Sequence, residues 1–239
     1  MTNRPPRIPD TAWGDLVREM VWIDGRKFRI DRPSSSDLLL DYPAVVEAFQ
    51  ADEYIPYWAD LWPCARMLAK AILRRHWPPQ LHGLEIGCGL GLVGIAALAQ
   101  GMRITFSDYD PNALRFAAAN ARLNGFHQFE TLLLDWRQPP TDCHFPVIFA
   151  SDVCYENRHV EPLVGLLQRL LTDDGECWLA DQDRPPAPLF RQRLIDSGFT
   201  YQTERMRVGV PGGERFQGTI YTIRRKTSQR FSCKAERNN

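Results

Sequence analysis

Leu84-Glu85-Ile86-Gly87-Cys88-Gly89-Leu90-Gly91-Leu92-Val93-Gly94 reads as a short buried strand, a glycine loop and the first turn of a helix. Glycines at a strand-to-helix turn let the backbone approach a ligand more closely than any side chain permits. Gly89, Gly91 and Gly94 also satisfy the dinucleotide pattern G-x-G-x-x-G, which alone is a weak signal. The register is informative. If Gly89 opened the loop, the strand would continue through Gly87 and Cys88 and bury the charge of Glu85, an unfavourable placement. If Gly87 opens it, Glu85 stands at the carboxyl end of the strand, where open α/β sheets bind ligands.

Around this stretch the chain alternates as a parallel sheet with crossover helices requires. Strands are expected at Leu84–Ile86, Arg103–Ser107, Thr131–Leu134, Val147–Ser151 and Glu176–Ala180. Helices are expected at Leu92–Ala99, Pro111–Leu123, His159–Leu171 and Ala187–Ser197. Two further β-prone runs, Phe199–Val208 and Arg215–Arg224, form an antiparallel pair at the sheet edge. Upstream, residues 17–30 form a hairpin around Asp24-Gly25, a dipeptide that favours a type I′ turn. PAVVEAF suggests a short helix. A helix with proline in its first turn starts at Pro63 and is stopped by Pro78-Pro79. The fold class is therefore α/β, a doubly wound, mostly parallel seven-stranded sheet with an N-terminal β-hairpin extension. The expected division is an extension over 1–55, a ligand-binding domain over 56–226 and a loose polar tail over 227–239.

The acids fall at strand ends. An acid at Glu85 repels a pyrophosphate but can hold the ammonium of a methionine moiety, directly or through water. This favours S-adenosylmethionine over a nicotinamide cofactor. Asp108 closes the second strand and can accept both ribose hydroxyls, as the acid after the second Rossmann strand does. Asp110 is its rival and suits a helix N-cap before Pro111. After the third strand, the carboxylate of Asp135 can accept from the adenine amino group while Trp136 packs on the base; a plain core position is the alternative for Trp136. Asp152 and Tyr155 follow the fourth strand, beside the same crevice. Methyl transfer from a sulfonium needs a neutral nucleophile on an in-line approach. For a lysine, neutrality near pH 7 costs roughly 4–5 kcal/mol, which an apolar, partly dry pocket reduces. Asp152 could orient the amine or pass its proton to water, and Tyr155 could wall the channel. The structural alternative is that Asp152 caps the next segment and Tyr155 merely packs. Val153-Cys154 stand where adenine- and glutamine-directed methyltransferases tend to carry two prolines, which shifts weight away from those acceptors.

Composition narrows the partners. Lys plus Arg and Asp plus Glu both total 29, whereas proteins that grip long nucleic acids carry a basic excess. A nucleic-acid partner is therefore not expected. The six cysteines (Cys64, Cys88, Cys143, Cys154, Cys177, Cys233) show no CxxC pair and no histidine at ligand spacing, so neither metal nor disulfides are expected. The polar, proline-rich first ten residues contain no secretory signal, and Leu90–Ala99 is too short to cross a bilayer. A cytoplasmic protein without membrane segments is expected; oligomeric state is not readable.

PYWADLWPCARMLA, LEIGCGLGLVGIAA, SDYDPNALRFAAANARLNG, LLLDW and ASDVCYE together resemble the seven-β-strand methyltransferases. More narrowly they are similar to the protein-lysine branch called methyltransferase family 16. Within it, Pro56–Pro63 looks most like the enzymes acting on lysines of the electron-transfer flavoprotein β-subunit and their bacterial relatives. The resemblance implies S-adenosylmethionine as cofactor and a lysine of a protein as acceptor. It implies that Trp62 contacts the cofactor, that Glu85, Gly87, Gly89 and the neighbouring Gly91 hold its methionine end, and that Asp108 binds ribose. It further implies that Asp135 and Trp136 flank adenine, and that Asp152 and Tyr155 form the branch's Asp-x-x-Tyr signature near the target lysine. Relatives often read Asp-Pro-x-Arg after the fifth strand, where this chain has Asp181-Gln182-Asp183-Arg184. Competing readings are a small-amine methyltransferase, an RNA methyltransferase aided by the basic residues around Arg224–Lys234, and a nicotinamide oxidoreductase or inactive binding module.

Overall fold

The computed structural model describes residues 5–9, 11, 13–209 and 212–226; the expected tail over 227–239, with Cys233, lies outside them. Strands β1 (Leu16–Ile23) and β2 (Arg26–Pro33) pair antiparallel. Asp24 and Gly25 both take positive φ, 46° and 76°, as the type I′ turn requires. Helices α1 (Asp37–Leu40) and α2 (Pro43–Asp52) follow, then a single 3-10 turn at Tyr57–Ala59 and α3 (Pro63–Arg74). α3 ends before Pro78-Pro79, at Arg75 in extended conformation (φ −96°, ψ 143°), and other groups take its last carbonyls: Trp77 Nε1 donates to Ile72 O at 3.0 Å and Gln100 Nε2 to Leu73 O at 2.6 Å.

Then come β3 (His82–Ile86), α4 (Leu92–Leu98), β4 (Arg103–Asp108), α5 (Pro111–Leu123), β5 (Glu130–Leu133) and β6 (Phe145–Ser151). The chain closes with α6 (Val160–Leu170), β7 (Leu171–Asp181), α7 (Ala187–Asp196), β8 (Phe199–Gly209) and β9 (Arg215–Arg225). The seven-stranded sheet runs β5-β4-β3-β6-β7-β9-β8, with β3 to β7 parallel and β9 antiparallel to both its neighbours. The last strand thus inserts inside the edge and leaves β8 outermost. The chain winds from β3 through β4 to β5, then returns to β6 on the other side of β3. That reversal opens a crevice at the strands' carboxyl ends.

Pleat parity sorts the core. Val147 and Phe149 of β6 pack with α3, α4 and α5, whereas Leu84, Ile86, Ile148 and Ala150 pack with α6 and α7. Val21, Ile23, Phe28 and Ile30 of the hairpin are buried in the first of these layers. The hairpin's free edge is closed by a helix: Asn120 of α5 accepts from Asp31 N at 2.8 Å and donates to Asp31 O at 3.0 Å. One turn on, Asn124 does the same for Arg29, at 2.9 and 2.7 Å. Two carboxamides four residues apart thereby stand in for a neighbouring strand. Among the described residues no helix is long and apolar enough to cross a membrane, and no cluster of metal-ligating side chains occurs.

Candidate active site

The carboxyl ends of β3 to β6 open into a crevice of ≈ 290 Å³. Nine of the ten residues singled out in the sequence line it: Trp62, Gly87, Gly89, Gly91, Asp108, Asp135, Trp136, Asp152 and Tyr155. Glu85 does not. Parity turns residue 85 toward α4, opposite to Leu84 and Ile86, and its carboxylate lies buried beneath the loop. There Glu85 Oε2 accepts from Gly94 N at 2.8 Å. Burial pushes its pKa up to about 8, opposed by the Gly94 N–H and aided by nearby Asp108. Glu85 thus braces the loop from beneath and does not itself line the crevice.

The loop itself opens at Gly87, as the second register requires. Gly87, Gly89 and Gly91 take φ of 60°, 49° and 83°. A Cβ on Gly87 would lie 2.9 Å from Val153 Cγ1 and 3.3 Å from Trp136 Cζ2, and one on Gly91 would lie 2.9 Å from Ala117 Cα. Four amides of this segment are already used. Cys88 N donates to Ser107 O at 2.9 Å, Gly89 N to Asp108 Oδ2 at 3.0 Å and Gly91 N to Cys88 O at 2.7 Å. With Gly94 N on Glu85, a diphosphate would find few donors and several carboxylates. Asp108 also accepts from Asp110 N at 3.0 Å, and burial pushes its pKa up to about 7 against those two amides. Asp110 caps α5 through Asn112 N at 2.7 Å and accepts from the Tyr54 hydroxyl, which assigns it the cap expected of it.

Asp135, at the end of β5, holds the Arg137 guanidinium (Nη2 to Oδ2 2.9 Å), and Arg137 reaches across to Asp52 at 3.3 Å. Trp136 packs over Gly87, and its Nε1 is buried without a partner.

Asp152 has φ 56°, a left-handed conformation that few non-glycine residues adopt and that concentrates at functional sites. Its Oδ2 accepts from Cys64 N at 2.9 Å, from 88 residues away, capping α3, whose own N-cap residue Trp62 supplies no side-chain bond. Its Oδ1 accepts from Gln182 Nε2 at 3.0 Å and faces Arg184 Nη2 at 3.0 Å. Burial raises the Asp152 pKa, and these three donors hold it back. Arg184 is also anchored by Asp181, with Nη2 to Oδ2 at 2.7 Å. The Asp-x-x-Arg spacing therefore survives the departure noted in the sequence, and Gln182, where relatives carry proline, donates to the acid itself.

Tyr155 belongs to a run of rings in edge-to-face contact: Trp62 to Tyr57 (5.8 Å), Tyr57 to Tyr155 (5.1 Å), Tyr155 to His159 (4.4 Å) and His159 to Trp136 (6.0 Å). Burial pushes the Tyr155 phenol well above its ordinary pKa, so it stays protonated. Sequence reading missed Tyr57, His159 and Arg184. Only Arg184 left a signal, its three-residue spacing from Asp181; a lone histidine and a lone tyrosine carry none.

A family model described as lysine methyltransferase matches residues 58–199. Histidine protein methyltransferase 1 homolog of Dictyostelium discoideum is 32% identical over 105 residues, 41% of this chain and 34% of that protein. Protein-lysine N-methyltransferase rrg1 of Schizosaccharomyces pombe is 28% identical over 162 residues, 60% of this chain and 52% of that protein. The chain spans about a third to a half of the length of these curated relatives. In fold it is similar to the crystal structure of ribosomal protein L11 methylase from Lactobacillus delbrueckii subsp. bulgaricus, with TM-score 0.53 at 24% identity over 68% of this chain and 79% of that one. With more than half of its 239 residues matched, the chain belongs to the lysine methyltransferase family.

Proposed function

We propose that the protein is an S-adenosylmethionine-dependent methyltransferase whose acceptor is a lysine side-chain amine of a protein. The observation that carries this reading is the charge of the crevice: eight Asp and Glu residues line it against two Arg and no Lys. Such a lining concentrates cations and repels polyanions. Both reactants suit it, since one is a sulfonium and the other reaches the site as an ammonium. A nucleic-acid acceptor and a diphosphate cofactor do not. S-adenosylmethionine, when bound, supplies a methyl group on a positively charged sulfur that an amine can displace in line.

Each residue then has a task in this reading. The backbone of Gly87, Gly89 and Gly91 faces the methionine end, braced from below by Glu85 through Gly94. Asp108 accepts the ribose hydroxyls with the lone pairs that Gly89 and Asp110 leave free. Trp136 covers adenine, Asp135 borders its amino group, and Trp62 closes the cofactor from the α3 side. The aromatic run from Trp62 to His159 gives the acceptor channel an apolar wall, which lowers the free energy of about 4–5 kcal/mol needed to present a neutral amine near pH 7. Asp152, its charge offset by Arg184, holds the start of α3 against the β6 loop and stands with Tyr155 beside the amine. Five free cysteines among the described residues fit a reducing compartment, the cytoplasm in this reading. The catalytic portion is assigned to 56–226, with 1–55 as its extension and 227–239 as a tail.

Two measurements test it. S-adenosylhomocysteine should raise the melting temperature saturably and NADH should not. Radiolabelled methyl from S-adenosylmethionine, added with the enzyme to a lysate, should enter protease-sensitive and nuclease-resistant material, and mass spectrometry should place it on lysine. Label on RNA, or on small molecules alone, rejects the lysine reading.

A further inference from the structure

The chain carries 29 charges of each sign, yet residues 34–65 hold six acids and no Lys, Arg or His. This stretch forms α1, α2 and the 3-10 turn, and it runs into the crevice, which Asp52, Glu53, Tyr57 and Asp60 line. It is also open in its apolar residues. Val45 is the one buried residue of α2, while Val46 and Phe49 are 39% and 49% exposed. In α1, Leu38 and Leu40 are exposed around a buried Leu39. Exposed apolar side chains scattered singly need no explanation, but these stand in order. Residues three apart share one side of a helix, so Val46, Phe49 and Asp52 form a row whose last member lines the crevice. The row is about 9 Å long, roughly three residues of extended chain. Tyr57, itself exposed, continues it to the aromatic wall through Tyr155 at 5.1 Å. We propose that α1, α2 and the Tyr57 turn are the docking face for the segment that flanks the acceptor lysine, and that this segment is basic and carries an apolar side chain for Val46 and Phe49.

Charge selects the occupant. Asp37, Asp41 and Glu47 are exposed and, among the described residues, join no ion pair. Asp52 and Glu53, at the crevice rim, are met by Arg137 at 3.3 Å and Arg158 at 3.0 Å. The outer part of the face therefore keeps its full negative field, which draws in a basic segment and weakens with salt. A second copy of this chain docked here would set like charges against each other, which is unfavourable. An anionic membrane surface is repelled in the same way. The apolar row then distinguishes one basic segment from another, because only a segment with an apolar side chain near its lysine covers Val46 and Phe49. This inference rests on the lysine reading and deepens it by naming the chemistry around the acceptor.

The test uses the full chain saturated with S-adenosylhomocysteine and short fluorescent peptides with one central lysine, read by anisotropy. The first peptide has arginines beside the lysine and a leucine three residues from it. In the second, glutamates replace the arginines; in the third, serine replaces the leucine. The first should bind at least about tenfold more tightly than either of the others, and added salt should weaken it. Val46→Ser with Phe49→Ser should cost the first peptide about tenfold and the third almost nothing. Asp41→Lys with Glu47→Lys should cost the first peptide about tenfold and should bind the glutamate peptide better than wild type does. None of these four residues lines the crevice, so S-adenosylhomocysteine affinity should stay within about twofold in both variants. No binding of the first peptide, equal binding of the first two, indifference to either pair of substitutions, or a dimer that Val46→Ser with Phe49→Ser dissolves in sedimentation overturns the proposal. The lysine reading is tested apart from this, by mass spectrometry of the labelled lysate: methyl groups found elsewhere than on lysine reject that reading, whereas peptide binding blind to charge and to Phe49 rejects the docking face.

Discussion

Arg184 Nη2 stands 3.0 Å from Asp152 Oδ1 and 2.7 Å from Asp181 Oδ2, so one guanidinium joins the loops that leave β6 and β7. Both carboxylates are almost wholly buried, with side-chain exposures of 4% and 3%. Removing the cation strands two buried charges, which is more harmful than never having the pair. Arg184→Met should lower stability by about 3 kcal/mol in urea denaturation at pH 7.5, and Arg184→Lys by less. A loss under about 0.5 kcal/mol would mean that water already screens this cluster.

Asp152→Ala separates structure from turnover. It releases Cys64 N at the start of α3 and puts alanine at a left-handed backbone position that it tolerates poorly. Turnover should fall about a hundredfold while S-adenosylhomocysteine affinity stays within about threefold, as expected of a group placed beside the acceptor. Full activity in this variant would remove Asp152 from the acceptor site.

Gly87→Arg should abolish S-adenosylhomocysteine binding in calorimetry without unfolding the protein, because the side chain would fill the crevice beside Val153 and Trp136. Gly94→Ala acts from below. Its Cβ would meet Glu85 Oε2 at 2.6 Å and Phe106 Cε1 at 2.4 Å, so the expected loss is about 1–3 kcal/mol of stability. Wild-type melting in Gly94→Ala would show that Glu85 can move aside freely.

Asn120 ties three segments together, since its Nδ2 also donates to Leu90 O in the glycine loop at 3.1 Å. Asn120→Leu leaves Asp31 N and two carbonyls without these partners. Stability should drop by about 2 kcal/mol, and protease should cut the hairpin sooner. Unaltered protease sensitivity would show that packing alone holds the hairpin.

The pH dependence of stability carries a signature of Glu85. Its pKa is about 8 folded against 4.5 unfolded, so the folded state binds more protons between those values. This contribution is complete below pH 4.5 and is lost as pH rises through 8. Without ligand, wild type should lose melting temperature between pH 5 and 8 relative to Glu85→Gln, which keeps an acceptor for Gly94 N. Parallel curves would show that Glu85 is ionised in the fold throughout.

The order of strands and helices was legible because each depends on local chemistry: apolar periodicity, proline at a first turn, and Asp-Gly or Asn-Gly where positive φ is needed. The crevice was legible for a related reason, since a parallel sheet places strand ends together, and Asp108, Asp135 and Asp152 each follow one. Harder to read was direction. Leu84 and Ile86 flank Glu85 and point to the opposite face, which already implies that its carboxylate meets α4; reasoning from the ligand alone overlooks that parity.

Sequence alone determined the parallel sheet, its glycine loop and the acids at its strand ends, because backbone sterics and side-chain alternation act over a few residues. Tertiary structure alone decided that Asp152 is held by Cys64 and Arg184, that Asn120 closes the hairpin edge, and that His159 joins Tyr155 in the crevice wall. Those pairings join segments 32 to 89 residues apart, or depend on what lies across the crevice. Spacing along a chain carries no record of which distant donors a buried group will find.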